Sequence, residues 1–518
     1  MRKFVYIFLI FLIFIPIKSS SVISDELYYL PKDGFLYISI SEPSIFSSKP
    51  EGSKGYFNLM LSDEMDKQLS SINAPFTVDN ILEIIRGCQL NVGFYIEGNL
   101  SPFSAILTFA DSEEKSSIFK VVIDEIIKGI LSFGREENAE TDLKEKTTDG
   151  FVIKELRYTK GDLNKKYYFA LSEKFFIMSN FRNKFYETLD NINKDDKSLK
   201  RNKAIQETIK ALGNEGDIFA FFITDIIKSK KKKGFEKAIG TISKSDEQKF
   251  WSPLPLIIEN SSCIGYRNIT ISETNGPTDR ITCLLHDKSI LNNTLYSSEN
   301  RHENNLINYL PENILLLMTF PISEDIGIPQ DIIDESLLFT TYKEGYKIDK
   351  MFELKNAQML FSLKEGNSIE DIMNFDKVEE YGNTNIYCYG DNFISVIRRA
   401  ENSGEKEVVL YSKDEQTIKD STDHILSGKT VDKTENFNTV LPHLERNTNL
   451  LIYVDTSLYP DLVEKDNLTG EQRIYLLKRA LCEIGFGISV YSNDKFIVLD
   501  AYPQLLPKLI FLISTGGY

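Results

Sequence analysis

Tyr29-Leu30-Pro31-Lys32-Asp33 leads into Phe35-Leu36-Tyr37-Ile38-Ser39-Ile40, and 280 residues later Tyr309-Leu310-Pro311-Glu312-Asn313 leads into Leu315-Leu316-Leu317-Met318-Thr319-Phe320. Proline has no N–H to give to a ladder, so it suits the approach to a strand, and the polar pair after it suits a turn. The apolar run that follows has the length and composition of a buried strand.

Three further correspondences keep the same order along the chain. Phe176-Ile177-Met178-Ser179-Asn180 and its amphipathic continuation to Ile192 match Val409-Leu410-Tyr411-Ser412-Lys413 and its continuation to Ile425, with each serine placed to cap the helix that follows. Ile218–Ile223 before Thr224-Asp225 matches Leu450–Val454 before Asp455-Thr456. Cys263-Ile264-Gly265-Tyr266 matches Cys482-Glu483-Ile484-Gly485-Phe486, each opening a hairpin whose turn is Thr274–Pro277 or Ser492–Lys495. Four matches in one order indicate an internal duplication. The first copy is the longer and carries an insertion around 43–75 or 125–150.

Gln89–Glu97 and Phe103–Phe109 read as a hairpin across Gly98-Asn99, and Ser112–Leu131 as an amphipathic helix. Strands joined by short turns, with helices between groups of them, predict α+β architecture: two tandem diverged copies of a mainly antiparallel sheet with packed helices. The expected organisation is a leader over 1–21, a first copy over 22–300 and a second, shorter copy over 301–518. With its N-terminal leader, this repeated Leu-Pro opening (Leu30-Pro31-Lys32-Asp33 and Leu310-Pro311-Glu312) resembles an exported bacterial family known as the domain of unknown function 3352 family. The resemblance implies location and architecture and carries over no catalytic residue.

The leader has three parts. Arg2 and Lys3 precede the uncharged apolar run Phe4–Ile17, and Ser19-Ser20-Ser21 offers a small-residue cleavage site before Val22. As a helix the run spans about 21 Å, short of a bilayer's hydrocarbon core of about 30 Å, so it is expected to be cleaved rather than to anchor. A soluble, extracytoplasmic chain, periplasmic or secreted, is the expectation. Removing the leader takes the net charge from −16 to −19. Such an acidic chain does not suit phosphate backbones, which are bound mainly by Lys and Arg. Cys88, Cys263, Cys283, Cys388 and Cys482 are odd in number and lack CxxC spacing; they read as small buried hydrophobes, with a Cys263–Cys283 bridge left open.

Catalytic signatures are missing from the sequence. There is no phosphate-binding loop and no GxSxG elbow, and His286, His302, His424 and His443 are dispersed. No catalytic, cofactor-binding or metal-ligating residue is nominated. The nearest approach to chemistry is Asp455 after an apolar strand, as in aspartic proteases, with Asp225 as its counterpart in the first copy. Ser457 replaces the required glycine, and Asp225 aligns with Thr456, one residue out. Both acids are expected to end strands and cap turns. Lys228, Lys230, Lys231, Lys232 and Lys233 read as a solvated loop, with contact to an anionic surface as the functional alternative. A non-catalytic binding or structural module is therefore expected, ahead of a carboxylate-based hydrolase or, given 34 Phe and 25 Tyr, a carrier of an apolar ligand.

Overall fold

The computed structural model describes residues 23, 25–41, 88–98, 101–109, 112–136, 138–194, 199–242, 253–269, 279–292, 296–297, 300–319, 332–341, 357–382, 384–401, 404–455, 485–493 and 495–502. The leader, Cys482 and the Thr274–Pro277 turn lie outside them.

Among the described residues, twenty strands are joined in antiparallel ladders, with one two-stranded sheet besides. This corrects the expected fold class: rather than two tandem α+β copies, the described chain is mostly large antiparallel sheet, with helices in the minority. Each hairpin leaves outer N–H and C=O groups that need partners, so successive hairpins extend a ladder. Apolar patterning marks strands but is silent on how far such a ladder runs.

The chain forms two compact units, the first of residues up to Lys288 (274–277 excepted) and the second from Ser289 onwards. The first contains β1 (Leu36–Ile40), β2 (Gln89–Phe94), β3 (Phe103–Thr108), β4 (Glu140–Thr148), β5 (Phe151–Lys160), β6 (Leu163–Leu171), β7 (Phe175–Ser179), β8 (Ile218–Phe222), β9 (Ser261–Asn268) and β10 (Asp279–Leu285). Their ladder runs β10-β9-β8-β1-β2-β3-β7-β6-β5-β4. The second contains β11 (His302–Glu303), β12 (Ile314–Thr319), β13 (Ile333–Thr341), β14 (Gln358–Leu363), β15 (Lys377–Tyr381), β16 (Thr384–Tyr389), β17 (Asn392–Glu401), β18 (Gly404–Ser412), β19 (Asn447–Thr448), β20 (Leu450–Val454), β21 (Phe486–Asn493) and β22 (Phe496–Tyr502). Apart from the β11–β19 pair, its ladder runs β22-β21-β20-β12-β13-β14-β18-β17-β16-β15. The strand order within the two units is the same.

Register sharpens the correspondences. Leu36 lies opposite Phe222 and Leu316 opposite Val454, in keeping with the 280-residue spacing. The last match needs shifting by two residues. Gly265 faces Phe221 and Gly487 faces Tyr453, so Gly487, not Gly485, holds the place of Gly265.

In the first unit β1 turns Ile38 and Ile40 toward α1 (Ser112–Glu136), which buries Phe119, Val122, Ile123, Ile126 and Ile127 at helical spacing against them. On the opposite face, with Tyr37, lie α2 (Arg182–Lys194) and α3 (Lys203–Leu212), which buries Ile205, Ile209 and Leu212. α4 spans Thr224–Ile242. In the second unit α5 (Glu415–Leu426) and α6 (Glu435–Val440) bury Ile418, Ile425, Phe437 and Val440 with Leu317 and Leu410. The serines ahead of α2 and α5 do not cap them directly. Ser179 Oγ accepts from Phe181 N and Ser412 Oγ from Asp414 N, and Asp414 is the residue that caps α5, accepting from Thr417 N at 2.9 Å.

Candidate functional site: a buried lysine beneath the Leu-Pro turn

The turn between Pro31 and β1 is held from below by Tyr37. Its hydroxyl donates to Pro31 O at 2.7 Å and accepts from Gly34 N at 2.6 Å. This sets Asp33 over the start of α2, where Lys184 points inward with a side chain only 5% exposed. The Lys184 ammonium donates to Asp33 Oδ1 and Oδ2 at 2.8 and 2.7 Å and to Glu187 Oε2 at 3.0 Å. Glu97 Oε1 stands 3.9 Å away, and the ring of Tyr95 lies below the ammonium, 5.0 Å to its centroid.

Burial alone would push the lysine toward its neutral form. The hydrogen bonds to Asp33 and Glu187 outweigh that and hold it above its ordinary value. Burial likewise raises the Tyr37 and Tyr95 phenols well above theirs. A lysine kept charged cannot act as a nucleophile or a base, since either role needs the free amine. The cluster is a clamp that fixes the Leu-Pro turn to α2. Asp33 announces itself in sequence through the turn; Lys184 does not, because nothing in Arg182-Asn183-Lys184-Phe185 distinguishes an inward lysine from a solvated one.

The second unit builds this corner without a lysine. Val431 N donates to Leu310 O at 2.9 Å, much as Leu199 N donates to Leu30 O at 3.1 Å. Glu312 N donates to Lys429 O, and His424 Nδ1 stands 3.8 Å from Glu312 Oε1. Thr417, in the sequence position of Lys184, instead bonds the capping Asp414.

The two acids weighed as a proton-sharing pair belong to different units, each with partners of its own. Asp225, in the first turn of α4, meets His286 Nε2 at 2.8 Å and Lys228 Nζ at 3.7 Å. Asp455 is 4% exposed; its carboxylate receives Tyr453 OH at 3.2 Å and Asn436 Nδ2 at 3.4 Å, and its N–H donates to Leu315 O. That backbone bond has its like in Ile223 N to Phe35 O, so Ile223 holds the place of Asp455, and Asp225 falls two residues out, not one.

The lysine run is helical rather than a solvated loop. α4 carries it through a kink at Lys231 (φ −137°, ψ 39°). Lys228, Lys230 and Lys231 turn back to donate to Ser261 O, Ile96 O and Gly98 O at 2.7, 2.9 and 2.7 Å. Lys232 pairs with Glu236 one turn on, at 3.8 Å. Three of the five ammonium groups thus satisfy carbonyls at the start of β9 and just past the end of β2.

Cys263 sits opposite Leu284 while Cys283 sits opposite Ile264, so the two thiols leave the β9–β10 hairpin on opposite faces, and both are free. Among the described residues no group of three or more His, Cys, Asp or Glu is placed to hold a metal ion, and no helix is long and apolar enough to cross a membrane. A depression between α1 and the sheet, near Ile123, Lys154, Phe169 and Phe176, encloses about 10 Å³, the space of roughly one water. That volume is too small for an apolar ligand. No family model, no curated protein and no solved structure matches the chain.

Proposed function

We propose that this chain is an exported, non-catalytic binding or structural module. Export is supported by the basic, apolar and small-residue order of Arg2–Ser21 and by the resemblance of the Leu-Pro openings to the exported 3352 family. The observation that carries the non-catalytic reading is the engagement of the charged groups with structural partners. Lys184 is enclosed by Asp33 and Glu187 and the buried Asp455 by Tyr453 and Asn436, while Asp225 pairs with His286 on the open surface, both about half exposed, with Lys228 beside them. A catalytic carboxylate needs a second titratable group and an opening for substrate. Contact with an anionic surface rests on the exposed Lys232 and Lys233, whose ammonium groups are not turned back onto backbone carbonyls among the described residues; at about 1 kcal/mol per lysine it is weak.

The purified chain and its Asp455→Asn variant, assayed against peptide, ester and glycan substrates, are expected to be equally inactive. Hydrolysis by the wild type that disappears in the folded variant would instead establish the carboxylate enzyme.

A further inference from the structure

Among the described residues, β4 pairs with β5 alone, and its outer edge is open. From Asp142 to Thr148 every residue is exposed. An open edge of this length is a template for another strand, and charged side chains normally discourage the pairing. Here the charges fall in a pattern that favours one register over the rest.

The strand reads Glu140-Thr141-Asp142-Leu143-Lys144-Glu145-Lys146, two acids before Leu143 and two lysines after it on the same face. We propose that β4 pairs antiparallel with β4 of a second copy of this chain, across a two-fold axis at Leu143. That register sets Asp142 opposite Lys144 and Glu140 opposite Lys146, each twice, so four oppositely charged cross-strand pairs form. On the other face Leu143, 37% exposed in the single chain, meets its twin. In the lone chain Lys144 lies opposite Glu155 of β5 and 3.9 Å from Asp142 on its own strand, and among the described residues no second acid lies on its open side.

The alternatives fail on the same sequence. A two-residue slip puts Asp142 against Asp142 or Lys144 against Lys144 on the axis and keeps only two complementary pairs instead of four. A one-residue slip would put the faces of the two strands out of step, which a continuous sheet does not allow. β15, the last strand of the other unit's ladder, offers no equal: its one complementary register, about Val378, pairs only Lys377 with Glu379. The two-fold is closed and isologous, so assembly stops at the dimer. The proposal rests on the edge strand alone and holds whether or not the chain is exported or catalytic.

The test is sedimentation of the full chain with two charge variants, all-basic (E140K/D142K) and all-acidic (K144E/K146E). The wild type is expected to dimerise with an affinity that falls as salt is raised. Each variant alone should lose about tenfold or more in affinity, because like charges then face each other. Mixing the two variants should restore a one-to-one dimer. A monomeric wild type, variants that dimerise unchanged, a mixture that stays monomeric, or open-ended assembly would each overturn the proposal.

Discussion

Gly265→Val is expected to destabilise the protein by about 3 kcal/mol, at the upper end of what overpacking a well-filled core costs. A Cβ at Gly265 would stand 2.3 Å from Thr208 Cγ2 and 2.8 Å from Leu212 Cδ1, both on α3. Real Cβ atoms do not come that close, so α3 must lift or β9 must bend. Gly487→Val is expected to cost as much for a parallel reason. Its Cβ would meet Leu444 Cδ1 at 2.4 Å and Val440 Cγ1 at 2.8 Å, at the end of α6. In both places a helix crosses the sheet face over a strand that has no side chain there. Gly161→Ala is the comparison: nothing lies within 4 Å, and only its positive φ of 56° opposes the change, at about 1 kcal/mol. Urea unfolding followed by circular dichroism ranks the three; a Gly265→Val midpoint no lower than that of Gly161→Ala would contradict the packing described.

Stability is expected to hold through neutral pH and to collapse on the alkaline side. Burial pushes the Cys263 thiol up to about 12, from 9.0, and raises the Tyr37, Tyr95 and Tyr266 phenols well above 10.0. Below about pH 8 these groups are protonated in both states and add no pH dependence. Above it the unfolded chain releases protons that the folded chain keeps, so stability falls as pH rises toward the folded values. Lys184, whose folded value is also raised, acts in the same direction above 10.5, where the unfolded chain loses the charge that the clamp retains. Cys263 alone removes roughly 3 kcal/mol by pH 11.5, at about 1.4 kcal/mol per pH unit. With the phenols added, the loss passes typical domain stability between about pH 11 and 12. Tyr95→Phe should move that transition upward, because it deletes one of these protons and a buried hydroxyl with no hydrogen-bond partner among the described residues. Urea midpoints that are flat from pH 9 to 11.5 would contradict this.

Much of the strand content was legible because the periodicity is local. Leu36–Ile40, Phe175–Ser179, Ile218–Phe222 and Leu450–Val454 are all apolar runs bounded by turn residues, and all are strands. Their pairing was not legible, since ladder partners within the first unit lie up to 186 residues apart, as Leu36 and Phe222 do. Register was half legible. The glycine that mattered, Gly487, is two residues from Gly485, the one the repeated Cys-to-aromatic motif suggests, and what selects it is the side chains of α6 and Leu444, invisible to a one-dimensional reading. The lysine run misled for a similar reason. Like charges in series suggest a solvated loop, yet Lys230 and Lys231 cap carbonyls at Ile96 and Gly98, more than 130 positions earlier in the chain. The clamp at Lys184 was missed because a buried ammonium depends on Asp33 and Tyr95, both from other elements.

Export is the premise on which a binding or structural role outside the cytoplasm depends. The most direct measurement is N-terminal sequencing, with intact mass, of the chain recovered from the extracytoplasmic fraction. The expected result is a mature chain beginning at Val22, after Ser21. A chain that stays in the cytoplasm with Met1 or Arg2 at its start would contradict it.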